Sequence, residues 1–159
     1  MRHTRSRYGV KVQGHVVYSF PLRLGVSGIG MTAWNQIDSL SRIGWRITAI
    51  AASCERPFRN GNVEVIETLR PLGLRIPIRA IGKKRAIRLH DLIAAGIVEG
   101  MVEKADAFHG WPLGSSRTLD VARSKGIPTY LERPNAHTRF AFSIVADMYR
   151  QLGLSIPAG

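Results

Sequence analysis

Short apolar runs alternate along this chain with longer segments in which apolar side chains recur every three or four positions. That rhythm predicts strands and helices in turn. His15–Phe20 (HVVYSF) is a β-branched and aromatic run between Gly14 and Pro21, which predicts a buried strand. The turn-rich GVSGIG of 25–30 follows. Thr32–Ile43 then places Trp34, Ile37 and Leu40 on one helical face and stops at Gly44. Trp45–Ala52 (WRITAIAA) predicts a second strand and Val63–Leu72 a helix closed by Gly73. Leu74–Ile81 predicts a short strand, with Pro77 suiting an edge or irregular position. Lys83–Lys104 is the longest helical stretch, with Ile87, Leu92, Ile93, Ile97, Met101 and Val102 sharing one broad face. Ala105–His109 predicts a fourth strand, Ser115–Ser124 a helix and Ile127–Leu131 a fifth strand. Phe140–Leu152 predicts a last amphipathic helix, docked through Phe142, Val145, Ala146, Met148 and Tyr149.

Strand–helix alternation of this kind implies right-handed βαβ crossovers. The fold class is therefore α/β: a Rossmann-like, doubly wound, mainly parallel sheet with helices on both faces. In such sheets ligands bind in the crevice at the carboxyl ends of the strands. Three loops should converge there: 21–30 after strand one, 109–116 after strand four and 132–139 after strand five.

Composition bounds what these elements can be. At 159 residues the chain suits one domain, and 45% hydrophobic with 21% charged residues excludes a wholly disordered chain. No apolar stretch approaches the roughly 20 residues needed to span a bilayer. The single Cys54 excludes an intrachain disulfide and a cysteine-based zinc site, and fits a reducing cytoplasm. Lys+Arg number 23 against 11 Asp+Glu, a formal charge of +12, so phosphate-bearing partners are favoured. Residues 1–13 (MRHTRSRYGVKVQ) hold basic side chains and no acid, and predict a solvated basic arm rather than a signal peptide. An organelle presequence is the alternative there.

Candidate chemistry falls in the predicted loops. Glycines between a strand and a helix let backbone approach an anion. Here the order is G-x-x-G-x-G and not the dinucleotide fingerprint, although Glu55 after strand two keeps a small NAD-type Rossmann protein as an alternative. His109 stands just past a buried strand in FHGWP, where it would exchange a proton or hydrogen-bond a sugar hydroxyl, and Gly110 would open space beside it. Trp111 would stack on a ligand or join the core. In ERPNAHT, Glu132 and Arg133 form an ion pair or meet a ligand, and His137 would point into the same crevice. No metal-ligand spacing appears, so no metal site is expected. Lys83, Lys84, Arg85 and Arg88 crowd one helix start as a candidate anionic-surface contact. A basic nucleic-acid-binding module is a further alternative, without a helix-turn-helix, zinc-finger or aromatic RNA-binding signature to support it.

The order GVSGIGMTAW, FHGWP, LERPNAHT and a long amphipathic helix resembles the N-terminal domain of family 4 (group 1) glycosyltransferases. The resemblance covers about His15 to Leu154. It implies the GT-B fold, retaining transfer of a sugar from a nucleotide-sugar donor to an acceptor, and no cofactor. It further implies that Gly28, Ile29 and Gly30 lie against donor diphosphate and acceptor, and that Trp111, Glu132, Arg133, Asn135 and His137 belong to the binding crevice. His109 becomes the candidate catalytic residue, although the family often shows His-x-His where this chain has His109-Gly110-Trp111.

The donor site of that family lies mainly in a C-terminal domain with a Glu-x7-Glu pattern. No pair among Glu55, Glu64, Glu67, Glu99, Glu103 and Glu132 has that spacing. The expected organisation is a basic arm (1–13), an acceptor-side domain (14–154) and a tail (155–159), with the donor-binding domain absent. On that reading the chain needs the missing domain or a partner chain and is inactive alone. No specific nucleic acid is expected, and the location is the cytoplasm, with a peripheral position on an anionic membrane as a variant.

Overall fold

The computed structural model describes residues 13–70, 73, 74, 76, 78–133 and 138–155. Among them five strands form one sheet: β1 (Gly14–Leu24), β2 (Trp45–Cys54), β3 (Val63–Glu67), β4 (Ala107–Gly110) and β5 (Thr129–Leu131). The helices are α1 (Ile29–Arg42), α2 (Ile78–Ile81), α3 (Lys83–Gly100), α4 (Ser116–Ser124) and α5 (Thr138–Gln151). The strand order is β3-β2-β1-β4-β5 and every pairing is parallel, which is the Rossmann-like arrangement. The chain reverses direction across the sheet between β1 and β4, the topological switch point.

β1 is central and covered on both faces, which is why HVVYSF reads as a continuous apolar run and not an alternating one. Val16, Tyr18 and Phe20 face α1, with Ala33, Ile37, Ile47, Ala49, Ala51 and Trp111. Val17 faces α3 and α4, packing with Ile50, Ala94, Val98, Phe108, Ala122 and Ile127. The β1–β2 register slips between Phe20 and Arg23, where Pro21 has no N–H to give the ladder.

Two predicted elements are corrected. Val63–Glu67 is a strand, not the start of a helix, pairing Val63–Glu67 with Ile47–Ala51 of β2. The end of the strand expected over Leu74–Ile81 is instead the helix α2, Ile78–Ile81. A five-residue VEVIE fits both periodicities, and the free edge of β2 decides between them. The last helix forms, but its expected docking onto the body does not. Phe142, Val145 and Met148 are 69%, 45% and 53% exposed, and among the described residues α5 has no extensive packing against another element.

Candidate functional site

The long β1 carries Tyr18 beside His109 of β4, their rings 4.6 Å apart, at the switch point and on the face that α1 covers. Four hydrogen bonds run through this place in one direction. The Trp111 indole N–H donates to the Tyr18 hydroxyl (2.7 Å), and that hydroxyl donates to Gln36 Oε1 on α1. Gln36 Nε2 donates to Glu132 Oε2 (3.4 Å), which also lies 3.2 Å from His109 Nε2. The chain has one consistent polarity: every hydrogen points toward the Glu132 carboxylate. His109 and Glu132 keep about a fifth of their side-chain surface in solvent. Burial lowers the His109 pKa, and the Glu132 charge and hydrogen bond oppose that fall without reversing it. Burial likewise pushes the Tyr18 phenol up, so it stays a neutral hydroxyl.

The glycine-rich segment opens α1, about two turns before Gln36. Gly28 caps α1 at φ 76°, and nothing stands within 4 Å of where its Cβ would be. Gly30 is different: a Cβ there would overlap the Arg23 carbonyl oxygen, so its absence lets α1 lie close on β1. Gly110 also answers to packing, because its Cβ would crowd Ser115 and Phe108; this corrects the expectation that it opens space. Leu113, 85% exposed in the loop after β4, is held at φ 72°, a costly conformation for a leucine.

The sequence-predicted residues divide accordingly. His109 and Glu132 are brought together, with Trp111 behind them: it is 3% exposed, edge-on to Phe20. Gly28, Ile29 and Gly30 lie at the α1 start and Arg133 just past Glu132. Asn135 and His137 lie outside the described residues. Lys83, Lys84, Arg85 and Arg88 are all exposed at the start of α3, and none joins an ion pair among the described residues. Glu55 is tied to Arg23 (3.2 Å), Ser53 (2.9 Å) and Arg70 (3.7 Å). Among the described residues no group of three or more His, Cys, Asp or Glu side chains is placed to hold a metal ion.

Sequence reasoning missed three parts of this region. Gln36 was not singled out within its helix, and Tyr18 was absorbed in an apolar run, although a buried phenol asks for a partner. His90, on α3 and fully buried, bridges Ser19 (3.0 Å) and Thr68 (2.9 Å) on the opposite face of the sheet. Thr68 donates its only hydroxyl hydrogen to the Ala51 carbonyl (3.2 Å), so it accepts from His90 Nδ1–H, and His90 Nε2 accepts from Ser19. Asp91, next in sequence, accepts from the Arg117 and Thr118 amides (2.9 and 3.1 Å) and from the Thr118 hydroxyl (2.7 Å). It thereby caps α4 from another helix.

No family model matches the chain, and no curated protein matches it in sequence. Solved structures do. The C-terminal domain of a hydrogenase from Pyrococcus furiosus covers 78% of this chain and 95% of its own at 14% identity, with a TM-score of 0.45, too low to argue from. TcCGT1, crystallised in complex with UDP, covers 91% of this chain at 13% identity with a TM-score of 0.53. The likeness is one of fold. This chain spans only 33% of the length of TcCGT1.

Proposed function

We propose that the chain is the acceptor-side, N-terminal domain of a retaining family 4 glycosyltransferase, residues 14–154, working with a donor-binding domain outside this sequence. The observation that carries the reading is the His109–Glu132 pair at the switch point, beside an α1 start that has an open glycine and no acidic residue in its first turn. The fold likeness to a UDP-bound protein supports it.

In this function His109 contacts the acceptor or the transferred sugar, while the α1 N-terminus stabilises phosphate charge on a nucleotide-sugar. Arg133, Asn135 and His137 are the residues that would contact the acceptor. The domain itself needs no cofactor or metal. Orientation of donor against acceptor supplies several kcal/mol or more of barrier lowering, and half a cleft forfeits it. The isolated chain is accordingly inactive.

The test is a radiolabelled sugar-transfer assay on a protein joining this chain to a donor-binding domain with a Glu-x7-Glu segment. Transfer with retained anomeric configuration is expected, lowered at least about 100-fold by His109→Ala. No transfer from any nucleotide-sugar overturns the reading, and turnover by the isolated chain overturns the half-enzyme part.

The exposed, unpaired Lys83, Lys84, Arg85 and Arg88 favour an anionic membrane as the place of work, each contributing about 1 kcal/mol near the surface. No helix among the described residues is long and apolar enough to cross a membrane. Co-sedimentation with phosphatidylserine vesicles is expected at physiological salt and lost when the four are changed to Glu; equal binding by that variant removes the membrane role.

A further inference from the structure

We propose that Glu132 and Gln36 are positioning residues that hold His109 with its Nδ1 lone pair toward the crevice, so that His109 takes a hydroxyl hydrogen of the substrate and not a phosphate oxygen. The hydroxyl's identity as a sugar or acceptor alcohol rests on the transferase reading; the positioning does not.

The argument is one of hydrogen counting. Trp111 has one indole hydrogen and gives it to Tyr18, which leaves Tyr18 only its own hydrogen to give onward to Gln36. Gln36 accepts with Oε1, so the group it turns to Glu132 is its amide NH2, a donor. Glu132 therefore receives from Gln36 and, as a carboxylate, can only receive from His109. That places the hydrogen of a neutral His109 on Nε2 and leaves Nδ1 an acceptor. Nδ1 has no partner among the described residues. Among the described residues the sealed, unpartnered side-chain polar atoms are His15 Nδ1 and Ser115 Oγ, so His109 Nδ1 is not one of them. An acceptor open to solvent asks for a donor.

Charge points the same way. The groups facing His109 are the neutral Tyr18 ring from β1, the Glu132 carboxylate after β5 and, through it, the Gln36 amide from α1. A carboxylate 3.2 Å from the ring repels a phosphate and tolerates an alcohol. This separates two tasks within one crevice. Phosphate recognition falls to the α1 start and hydroxyl recognition to His109.

Nuclear magnetic resonance of the chain, with long-range 1H–15N correlations of the His109 ring, tests the positioning without any assay of transfer. The expected wild-type spectrum shows a neutral Nε2–H ring. In Glu132→Gln the midpoint for protonating His109 falls and the single tautomer gives way to a mixture. Gln36→Leu, which leaves the carboxylate in place and removes one donor to it, produces a smaller change in the same observables. A neutral wild-type ring with its hydrogen on Nδ1 overturns the proposal. So does an unchanged His109 midpoint in a Glu132→Gln protein whose backbone spectrum shows it folded. Pyrophosphate added to the wild-type protein is expected to leave the His109 midpoint in place; a rise, as a phosphate partner would cause, overturns the hydroxyl assignment. Absence of sugar transfer by the two-domain protein, with these ring effects intact, sinks the transferase reading alone.

Discussion

His90 sits between Ser19 and Thr68 with no exposed surface, so a proton added to its ring meets neither water nor a carboxylate in direct hydrogen bond. Burial depresses its pKa to about 4, against the partial opposition of Asp91. Unfolding restores the ordinary value of 6.5, and the unfolded chain then binds the extra proton between those limits. Stability is therefore full above about pH 6.5, falls as pH drops through that window and levels off below 4. A buried shift of this size corresponds to a loss of the order of 3 kcal/mol. His15 and His109, depressed by burial in the same direction, steepen the fall. Urea unfolding at pH 7.5 and 4.5 measures it. His90→Gln, which keeps a donor and an acceptor but cannot titrate, should flatten the pH dependence.

The two glycines of the α1 start separate by cause. Gly30→Ala drives a methyl into the Arg23 carbonyl oxygen and should cost about 1–3 kcal/mol, as overpacking does. Gly28→Ala meets open space and carries only the backbone strain of φ 76° with ψ −141°, about 1–3 kcal/mol. Thermal unfolding measures both, and an unchanged midpoint in Gly30→Ala would mean that α1 does not lie this close on β1. From the sequence both were simply glycines of one loop, because the reason for Gly30 lies in a β1 carbonyl seven residues away, which no local motif records.

At the scale of elements, α4 depends on a residue it does not contain. The Asp91 carboxylate, on α3, takes the place of a local cap, and Ser115 at the N-cap position makes no capping bond of its own. Removing it by Asp91→Ala leaves two amides and the Thr118 hydroxyl short of partners, with a cost of about 2–4 kcal/mol. Asp91→Asn retains an acceptor and should lose about half of that. Chemical denaturation of both variants checks the ratio.

The same scale shows what a sequence can disclose. β1, β2 and β4 are legible because strands inside a parallel sheet demand apolar runs, whereas β5, an edge strand with Tyr130 and Leu131 exposed, is legible from its short run after the Gly126 turn. β3 is at the sheet edge and half-buried, so its VEVIE keeps glutamates that fit a helix surface equally well. For the site, His109 and Glu132 were visible by chemistry and by their places after predicted strands. Their bond, and Gln36 between them and Tyr18, depend on how closely α1 lies on β1, which is a property of the assembled sheet.

For the whole molecule, α5 is amphipathic, and its Phe142, Ile144, Val145 and Met148 are turned to solvent. Deleting residues 138–159 removes a helix with no extensive packing against another element among the described residues, so unfolding free energy should change by less than about 1 kcal/mol. Binding of a hydrophobic dye should fall at the same time, since Phe142, Met148 and Leu152 leave with it. A large loss of stability would mean that α5 is seated on the body in solution.

The position of β1 has a consequence for synthesis on the ribosome. Of the five described strands, the first to be made is the centre of the finished sheet, and β2 and β3 can join one side of it as soon as they emerge. The other side, Val16–Ser19, waits for Ala107–Gly110. Until the crossover through α3 is complete, the nascent chain carries an open, apolar strand edge of the kind that pairs with neighbours. The finished molecule hides that edge at its centre, so the hazard belongs to the growing chain alone.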